Sequence, residues 1–587
     1  MKHCRKVVKS MDFSSINSNY WRFCFPLIVT VIMVGHLSAP AQTRTVGVIS
    51  ITADTASGYT LFAPLMGKVT YLVDNFGREI NSWTTDKLSG ASDYLLEDGS
   101  MLRCESLTNR SFNGGGSGGR VKRTSWDGEI IWTYDYSDDS HCQQHDIEPL
   151  PNGNVLLLAW EVKSSSEASA AGRSASGDVW MDHIVEVKPS GSSGGEIVWE
   201  WHVWDHLVQD KDESKNNYGV VADHPELVDV NFKNSDATMG GGSTDWLHTN
   251  AVDYNEDLDQ ILISVLQLSE VWIIDHSTTT AEAASHSGGN YGKGGDLLYR
   301  FGNPAAYKSG SNSDRVLYMQ HGPCWIPKGL PGVGNILVFN NGSQSRGSSV
   351  DEFSLPVDGS GKYDLDKAPV NVWSYAPSGF YATNLGNAQR MANGNTLICH
   401  GPHGTFFEVD SDKDIVWEYI SPVKSNGIAK QGDRMGGGGG MMGSQSNQCF
   451  RAMRYALDYA AFDDKDITPA DAPLEGGELP TVESGKTTTV STFTGVHVPG
   501  EFSLSSYTNP SNPNLATAIN FTIPQHSDVT VKIYNAGGRE VATLVNRYLS
   551  AGSYSYTWSA NGCAGGVYFV RLVTKNYVTA NRMVLLQ

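Results

Sequence analysis

From about residue 58 to 420 the chain repeats one pattern of apolar and polar positions: a short apolar run ending on an aromatic, a loop, then a tight turn opening a second apolar run. The first half recurs six times, over 77–83, 128–132, 195–199, 296–299, 370–373 and 414–417, ending at Trp83, Trp132, Trp199, Tyr299, Trp373 and Trp417. The second half recurs over 98–102, 152–156, 259–262, 334–337 and 393–397, and Asn-Gly between apolar runs, as at Asn152-Gly153 and Asn393-Gly394, favours a hairpin. Strand pairs that cannot bury both faces alone must stack on neighbours, which predicts an all-β fold, a six-bladed β-propeller. Residues 58–62 are expected to pair with the last blade and close the ring, leaving no edge open. Residues 222–244 and 431–446, the latter glycine-rich from Gly436, read as loops.

The periodicity stops at 470–500, a stretch rich in Pro, Thr, Glu and Gly that reads as a linker. Beyond it, 529–534, 553–558 and 566–572 alternate apolar and polar positions, which predicts a small C-terminal β-sandwich over 501–587. At the other end, the apolar run 23–37 lies behind Arg22 and before Ser38-Ala39-Pro40-Ala41-Gln42, which predicts a signal peptide over 1–41, cut after Ala41. Nothing later supplies about 18 consecutive apolar residues, so no membrane span is expected in the mature chain. The expected organisation is therefore signal peptide 1–41, propeller 42–469, linker 470–500 and sandwich 501–587.

Charge narrows the partners. The 43 basic and 63 acidic residues give a net charge of -20, which repels a phosphate backbone and argues against nucleic acid. Any anionic substrate then needs its own cluster of His and Arg. Without the leader, Cys104, Cys142, Cys324, Cys399, Cys449 and Cys563 remain; none forms a C-x-x-C pair, and no disulfide is assigned. G-x-S-x-G, Walker, H-E-x-x-H and Rossmann signatures are absent, and the Asp-rich stretch 209–237 lacks EF-hand order. Neither a metal nor a cofactor is expected.

Three histidines precede the second apolar runs of consecutive repeats: His145, His248 and His321. Equivalent ends of the innermost strands of a propeller face one mouth of its channel, so these side chains are expected to converge. The next repeat carries Gly386 at that position, with Arg390 just after it and His400 and His403 beyond; Arg346 follows Asn340-Asn341-Gly342. Arg supplies permanent planar donors for an oxyanion and His exchanges a proton or a group near neutral pH, which together suit transfer of a small anionic group. Each of these residues also has an ordinary structural reading, as a turn cap or a carbonyl partner in its repeat.

The segments 145–154 (HDIEPLPNGN), 245–250 (DWLHTN), 320–323 (QHGP), Trp325-Ile326-Pro327, 334–342 and 388–398 (AQRMANGNTLI) resemble bacterial arylsulfotransferases over nearly all of residues 50–465. The resemblance implies a six-bladed propeller that moves a sulfuryl group from a phenolic sulfate ester to another phenol, without a nucleotide donor and through a sulfohistidine. Carried over by position, His248 and His321 fall on channel histidines and Arg346 with Asn341 on the anion-holding pair. His400 is favoured as the sulfuryl acceptor, with His403 and His321 as alternatives; His145, Arg390 and His403 are placed around the substrate. The tail motifs 507–513 (YTNPSNP), 537–541, 566–569 and 583–587 resemble the C-terminal sorting domain of the type IX secretion system, which implies that machinery as a partner and an extracellular or cell-surface location. A catalytically silent surface propeller binding sulfated ligands, and a quinone-dependent dehydrogenase propeller, fit parts of the same pattern.

Overall fold

A computed structural model describes residues 44–65, 67–233, 244–365, 367–433, 435, 446–483, 502–506, 517–524, 527–549, 552–558, 563–575 and 577–585. The expected signal peptide 1–41, most of the glycine-rich loop 431–446, part of the loop 222–244, the end of the expected linker, the 507–513 motif and the last two residues of the 583–587 motif lie outside them.

The described residues are nearly all strand and turn. Six antiparallel sheets occupy residues 47–455, headed by β1 (Ser89–Leu95), β2 (His141–Pro149), β3 (Thr249–Asn255), β4 (His321–Trp325), β5 (Asn387–Arg390) and β6 (Cys449–Tyr455). The sheets begun by β1 to β5 add their next three strands in chain order. Their fourth strands, with Glu79–Thr84 of the sixth sheet, are the six aromatic-ended runs: Ile130–Asp135, Gly195–His202, Tyr299–Phe301, Val370–Tyr375 and Ile415–Ile420 complete the set. β1 packs on β2, β2 on β3, β3 on β4, β4 on β5, β5 on β6 and β6 on β1, so the first strands meet in a closed cycle.

Closure uses both ends of this region. Tyr59–Pro64 pairs with β6, in register from Tyr59 with Tyr455 to Phe62 with Ala452, and Gly47–Ile51 pairs with Ile415–Ile420 as a fifth strand of the fifth sheet. The repeated aromatic has a physical job. Trp83 Nε1 donates to Ser125 O at 2.9 Å, Trp132 to Gly194 O at 2.7 Å, Trp199 to Thr278 Oγ1 at 3.1 Å and Trp417 to Asn75 O at 2.9 Å, each partner lying in the next sheet. A buried indole thus fills the gap between sheets and satisfies its one donor there.

An ion triad adds to the second and third sheets. His276 Nδ1 meets Asp259 Oδ1 at 2.7 Å and its Nε2 meets Glu186 Oε2 at 3.0 Å. Burial alone would lower its basicity, but the two carboxylates raise it from the ordinary 6.5 to about 9. A folded value above the unfolded one stabilises fully below about pH 6.5, and the gain, roughly 3 kcal/mol by linkage, is lost as pH rises through about 9. The expected result is a melting temperature that falls more steeply between pH 7 and pH 10, roughly that window, than in His276→Gln; parallel curves would contradict it.

Two expectations change. Residues 470–483 do not form a free tether: Ala470 N donates to Glu79 O at 2.8 Å, Leu474 N to Gly77 O at 3.0 Å, and the buried Glu475 holds Arg44 at 2.6 Å. Their backbone donors find sheet carbonyls, so the stretch packs despite its Pro and Gly content. Within 222–244, Val228–Asp229 forms a short parallel pair with Leu207–Val208. The six described cysteines are unpaired.

The tail forms a three-stranded sheet (Ser503–Ser506, Thr517–Ile523, Gly552–Trp558) and a four-stranded one (Glu540–Leu549, Ser527–Asn535, Gly566–Thr574, Val578–Leu585). Ile519, Phe521, Val531, Ile533, Val570 and Leu572 share one buried cluster, the period-two faces of three strands.

Candidate active site

The first strands are irregular where the histidines sit. Pairing registers slip at Ser89/Asp93 in β1, opposite Gln144–Asp146 in β2, at Thr249/Ala251 in β3 and at His321/Cys324 in β4. Bulges of this kind turn a side chain away from the regular alternation. Left-handed backbone gathers at the same places: Ala91 (φ 108), His145 (φ 43), His248 (φ 52), Met319 (φ 54) and Leu385 (φ 59). Non-glycine residues in this region carry strain that packing must hold, a feature concentrated at functional sites.

His145, His248 and His321 come together. The His145 and His248 rings lie edge to face with centroids 4.6 Å apart, and Phe450 of β6 sits 5.9 Å from His145 and 6.4 Å from His321. All three imidazoles are buried, with differing partners. His248 Nδ1 faces Asp245 Oδ2 at 2.5 Å, which leaves Nε2 as the ring nitrogen not engaged by that carboxylate. Burial lowers its basicity, but the Asp245 carboxylate, with Asp182 behind it, raises the ring above its ordinary value. Asp182 accepts from Thr249 N at 2.9 Å and from Gln144 Nε2 at 2.7 Å; burial, then the charge of Asp245, pushes its carboxyl up to about 7.

The other two rings are held neutral. Burial, with His248 and His321 nearby, drives His145 far below its ordinary value; its Nδ1–H donates to Gln144 Oε1 at 2.7 Å. His321 accepts the Leu385 N–H on Nε2 at 3.1 Å, so its Nδ1–H donates to Asn341 Oδ1 at 2.8 Å, and burial brings it to about 4. Asn341 is itself fixed by donating to Ala382 O and Leu385 O.

A cavity of about 500 Å³ is lined by Arg315, Tyr318, Met319, Gly342, Arg346 and Tyr381, among others, and the carbonyl of its Met319 lies 3.2 Å from His321 Nδ1. Arg346 lies 4.3 Å over the Tyr318 ring, and among the described residues no carboxylate pairs with it. Tyr381 also lines a second cavity of about 340 Å³ with Tyr375, Phe380, Phe407, His400 and His403. There His400 Nε2–H donates to Tyr381 O at 3.0 Å, which directs the lone pair of its Nδ1 at His403 Nδ1–H, 2.8 Å away. Burial and the adjacent His403 bring His400 down to about 4. Both cavities lie at the edge where β4 begins and where Ile336–Ser343 and Thr396–His400 end.

Arg390 stands apart. It closes β5 at the opposite end, opposite Thr396, and pairs with Glu352 at 2.6 Å over the Trp373 ring. Sequence reasoning also passed over the glycine loop 114–119. Gly115 approaches His248 Cε1, and a Cβ on Gly116 (φ +79) would fall 2.1 Å from the His145 ring. Asp245 and Phe450 were missed as well. Asp245 sits three residues before His248, a spacing that signals a pair only once the left-handed turn at His248 folds it back.

A family model described as a secretion system C-terminal sorting domain matches residues 505–586, which marks the chain for type IX export to the cell surface or beyond. Among the described residues no helix is long and apolar enough to cross a membrane. No curated protein matches the chain. Among solved structures, a protein of unknown function from Bacteroides caccae is 13% identical (TM-score 0.35, 62% of this chain and 94% of that one). A virginiamycin B lyase from Staphylococcus aureus is 12% identical (0.30, 65% and 90%). PorZ, a surface component of the type IX secretion system of Porphyromonas gingivalis, is 9% identical (0.24, 89% and 74%). TM-scores this low do not establish a shared fold. The arylsulfotransferase (ASST) family model, by contrast, matches residues 55–430, well over half of the chain and all of β1 to β5, and on that match the chain belongs to the arylsulfotransferase family and is a sulfotransferase.

Proposed function

We propose that the six sheets are the blades of a six-bladed propeller within residues 44–483, followed by a C-terminal β-sandwich, and that the mouth bearing the histidines transfers sulfuryl groups between phenols. The cycle of first strands and the clasping tryptophans support the blade count, and the shared core of the two tail sheets supports the sandwich.

In this reading a phenolic sulfate ester places its sulfuryl oxygens on Arg346 and its ring among Tyr318, Tyr381 and Phe380. His400 Nδ1 attacks sulfur as the S–O bond to the phenol breaks, and the departing phenolate takes the proton of His248 Nε2. The resulting sulfohistidine passes the group to a second phenol, whose hydroxyl proton returns to His248 as the N–S bond breaks. A neutral His400 keeps its lone pair at neutral pH, and His403 holds that lone pair until substrate displaces it. Asn341 and Leu385 position His321, and His145 walls the mouth with Gly116.

The observation that carries the reading is Arg346: a guanidinium stacked on an aromatic ring, with no carboxylate partner among the described residues, lining a cavity that shares Tyr381 with the one holding His400 and His403. Arg390, Arg451 and Arg454 are by contrast each neutralised by Glu352, Asp146 and Glu408. The exported protein mixed with 4-nitrophenyl sulfate should release nitrophenol at a rate set by added phenol, and Arg346→Met should lower kcat/KM by roughly a hundredfold or more. No phenol-dependent release across a panel of phenols would overturn the assignment.

Gly116→Ala tests the mouth independently. The added Cβ must displace the His145 ring and strain a left-handed residue, and a shift of about 1 Å at a site is worth about a hundredfold in rate. The expected outcome is a loss of that order in kcat with melting temperature lowered only slightly; unchanged kcat would remove His145 from the site.

A further inference from the structure

We propose that His206, His286 and Asp296 bind one divalent transition-metal ion, zinc by ligand preference, which clamps the second sheet to the third. His206 ends the short turn Val203–His206 that follows Gly195–His202 of the second sheet. His286 and Asp296 lie in the connection between Glu270–Asp275 and Tyr299–Phe301 of the third. One imidazole nitrogen from each of His206 and His286 and an Asp296 oxygen all lie within 4.8 Å of one another.

The hydrogen bonding at His206 points to a cation. Its ring is fully buried, stacked under Trp201 with centroids 5.7 Å apart. Nε2–H donates to Ala283 O at 2.8 Å, which leaves Nδ1 as the nitrogen open to a ligand. Nδ1 faces Asp296 Oδ1 at 2.8 Å, and His286 Nδ1 faces the same oxygen at 2.8 Å. A metal ion bound here takes the two Nδ1 atoms and the carboxylate as ligands together. An imidazole that ligates through one nitrogen while the other donates to a backbone carbonyl is the arrangement that fixes a metal-binding tautomer.

The site is built and open. Ala283 O is presented by the helix Thr280–Ala283, whose capping box with Thr279 and Glu282 fixes its start, and Trp201 Nε1 donates to Gly295 O at 2.7 Å next to Asp296. A Cβ on Gly295 would come within 2.6 Å of His206 Nε2, so only glycine lets this segment lie so close. His286 is 62% exposed, which gives the ion a path in and leaves a fourth position for water. Two imidazoles and one carboxylate suit zinc, whose bonds of about 2.0–2.2 Å need the ligand atoms roughly 3.3 Å apart, a small outward rotation. With its described cysteines unpaired, the exported chain would gain from the ion a cross-link between segments about 80 to 90 residues apart.

The test titrates Zn²⁺ alone into the chelator-stripped exported protein, by calorimetry and by thermal unfolding. One equivalent should bind and raise the melting temperature. His286→Ala, at an exposed position, should fold with the metal-free melting temperature of the parent but lose both the equivalent and the zinc-dependent rise; Asp296→Asn should lose the same equivalent. Failure of the parent to bind zinc, or equal binding by His286→Ala, overturns the proposal.

Discussion

Asp245→Asn is expected to slow sulfuryl transfer by roughly a hundred- to ten-thousand-fold while leaving the fold in place. The carboxylate sits 2.5 Å from His248 Nδ1, where it fixes which nitrogen faces substrate and raises the basicity that burial would otherwise depress. An amide of the same shape keeps the packing and removes the charge, so the ring falls below its ordinary value and no longer holds a proton near neutrality. The sign follows: if His248 acts as the acid, the alkaline limb of kcat/KM moves to lower pH in the variant. A rate loss with an unmoved pH profile would mean that Asp245 serves only the packing.

The largest stability effect is expected at Arg454. It lies fully buried in β6, pairs with the equally buried Glu408, donates to Thr60 Oγ1 at 3.1 Å and covers the Trp417 ring at 4.3 Å. These contacts join the sixth sheet to the fifth, where the ring of first strands closes. Arg454→Met strands the Glu408 charge and should cost about 3–5 kcal/mol in denaturant unfolding. Adding Glu408→Gln removes that charge but keeps the acceptor for Ala56 N and Asn395 Nδ2, so the double variant should recover part of the loss. A single variant as stable as the parent would show that the pair does not hold the closure.

The outer strands and turns were legible because their chemistry is local. Trp83, Trp132, Trp199 and Trp417 mark a buried face, and Gly153 and Gly394 take the positive φ that their hairpins demand (84° and 91°). β6 was not legible: Cys449-Phe450-Arg451-Ala452-Met453-Arg454-Tyr455 reads as mixed polarity, since Arg451 and Arg454 are buried only by carboxylates supplied from Asp146 and Glu408 far along the chain. The pairing expected of residues 58–62 is there, but the partner strand that receives it left no local period of its own.

The site divides in the same way. His145, His248 and His321 were found because a repeat puts them at one position, and repetition carries spatial meaning in a closed ring of sheets. The bulges that aim them, the Gly116 approach and the Asp245 pairing depend on backbone conformation and left no periodic trace. Arg390 was expected near the mouth because it closely follows Gly386 at the repeat's equivalent position, yet the residues between them, along a strand of roughly 3.3 Å rise, carry it to the far end. The His206, His286 and Asp296 group has no motif spacing at all, because its ligands come from two separate connections.

The most direct measurement mixes the exported protein with 4-nitrophenyl sulfate in the absence of acceptor, quenches in alkali to preserve an N–S bond, and maps the digest by mass spectrometry. Nitrophenol should appear in a burst of one per chain, with a sulfuryl group on the peptide containing His400 that phenol discharges and that His400→Asn never acquires. Turnover by the parent without a burst and with every histidine peptide unmodified would contradict transfer through an imidazole.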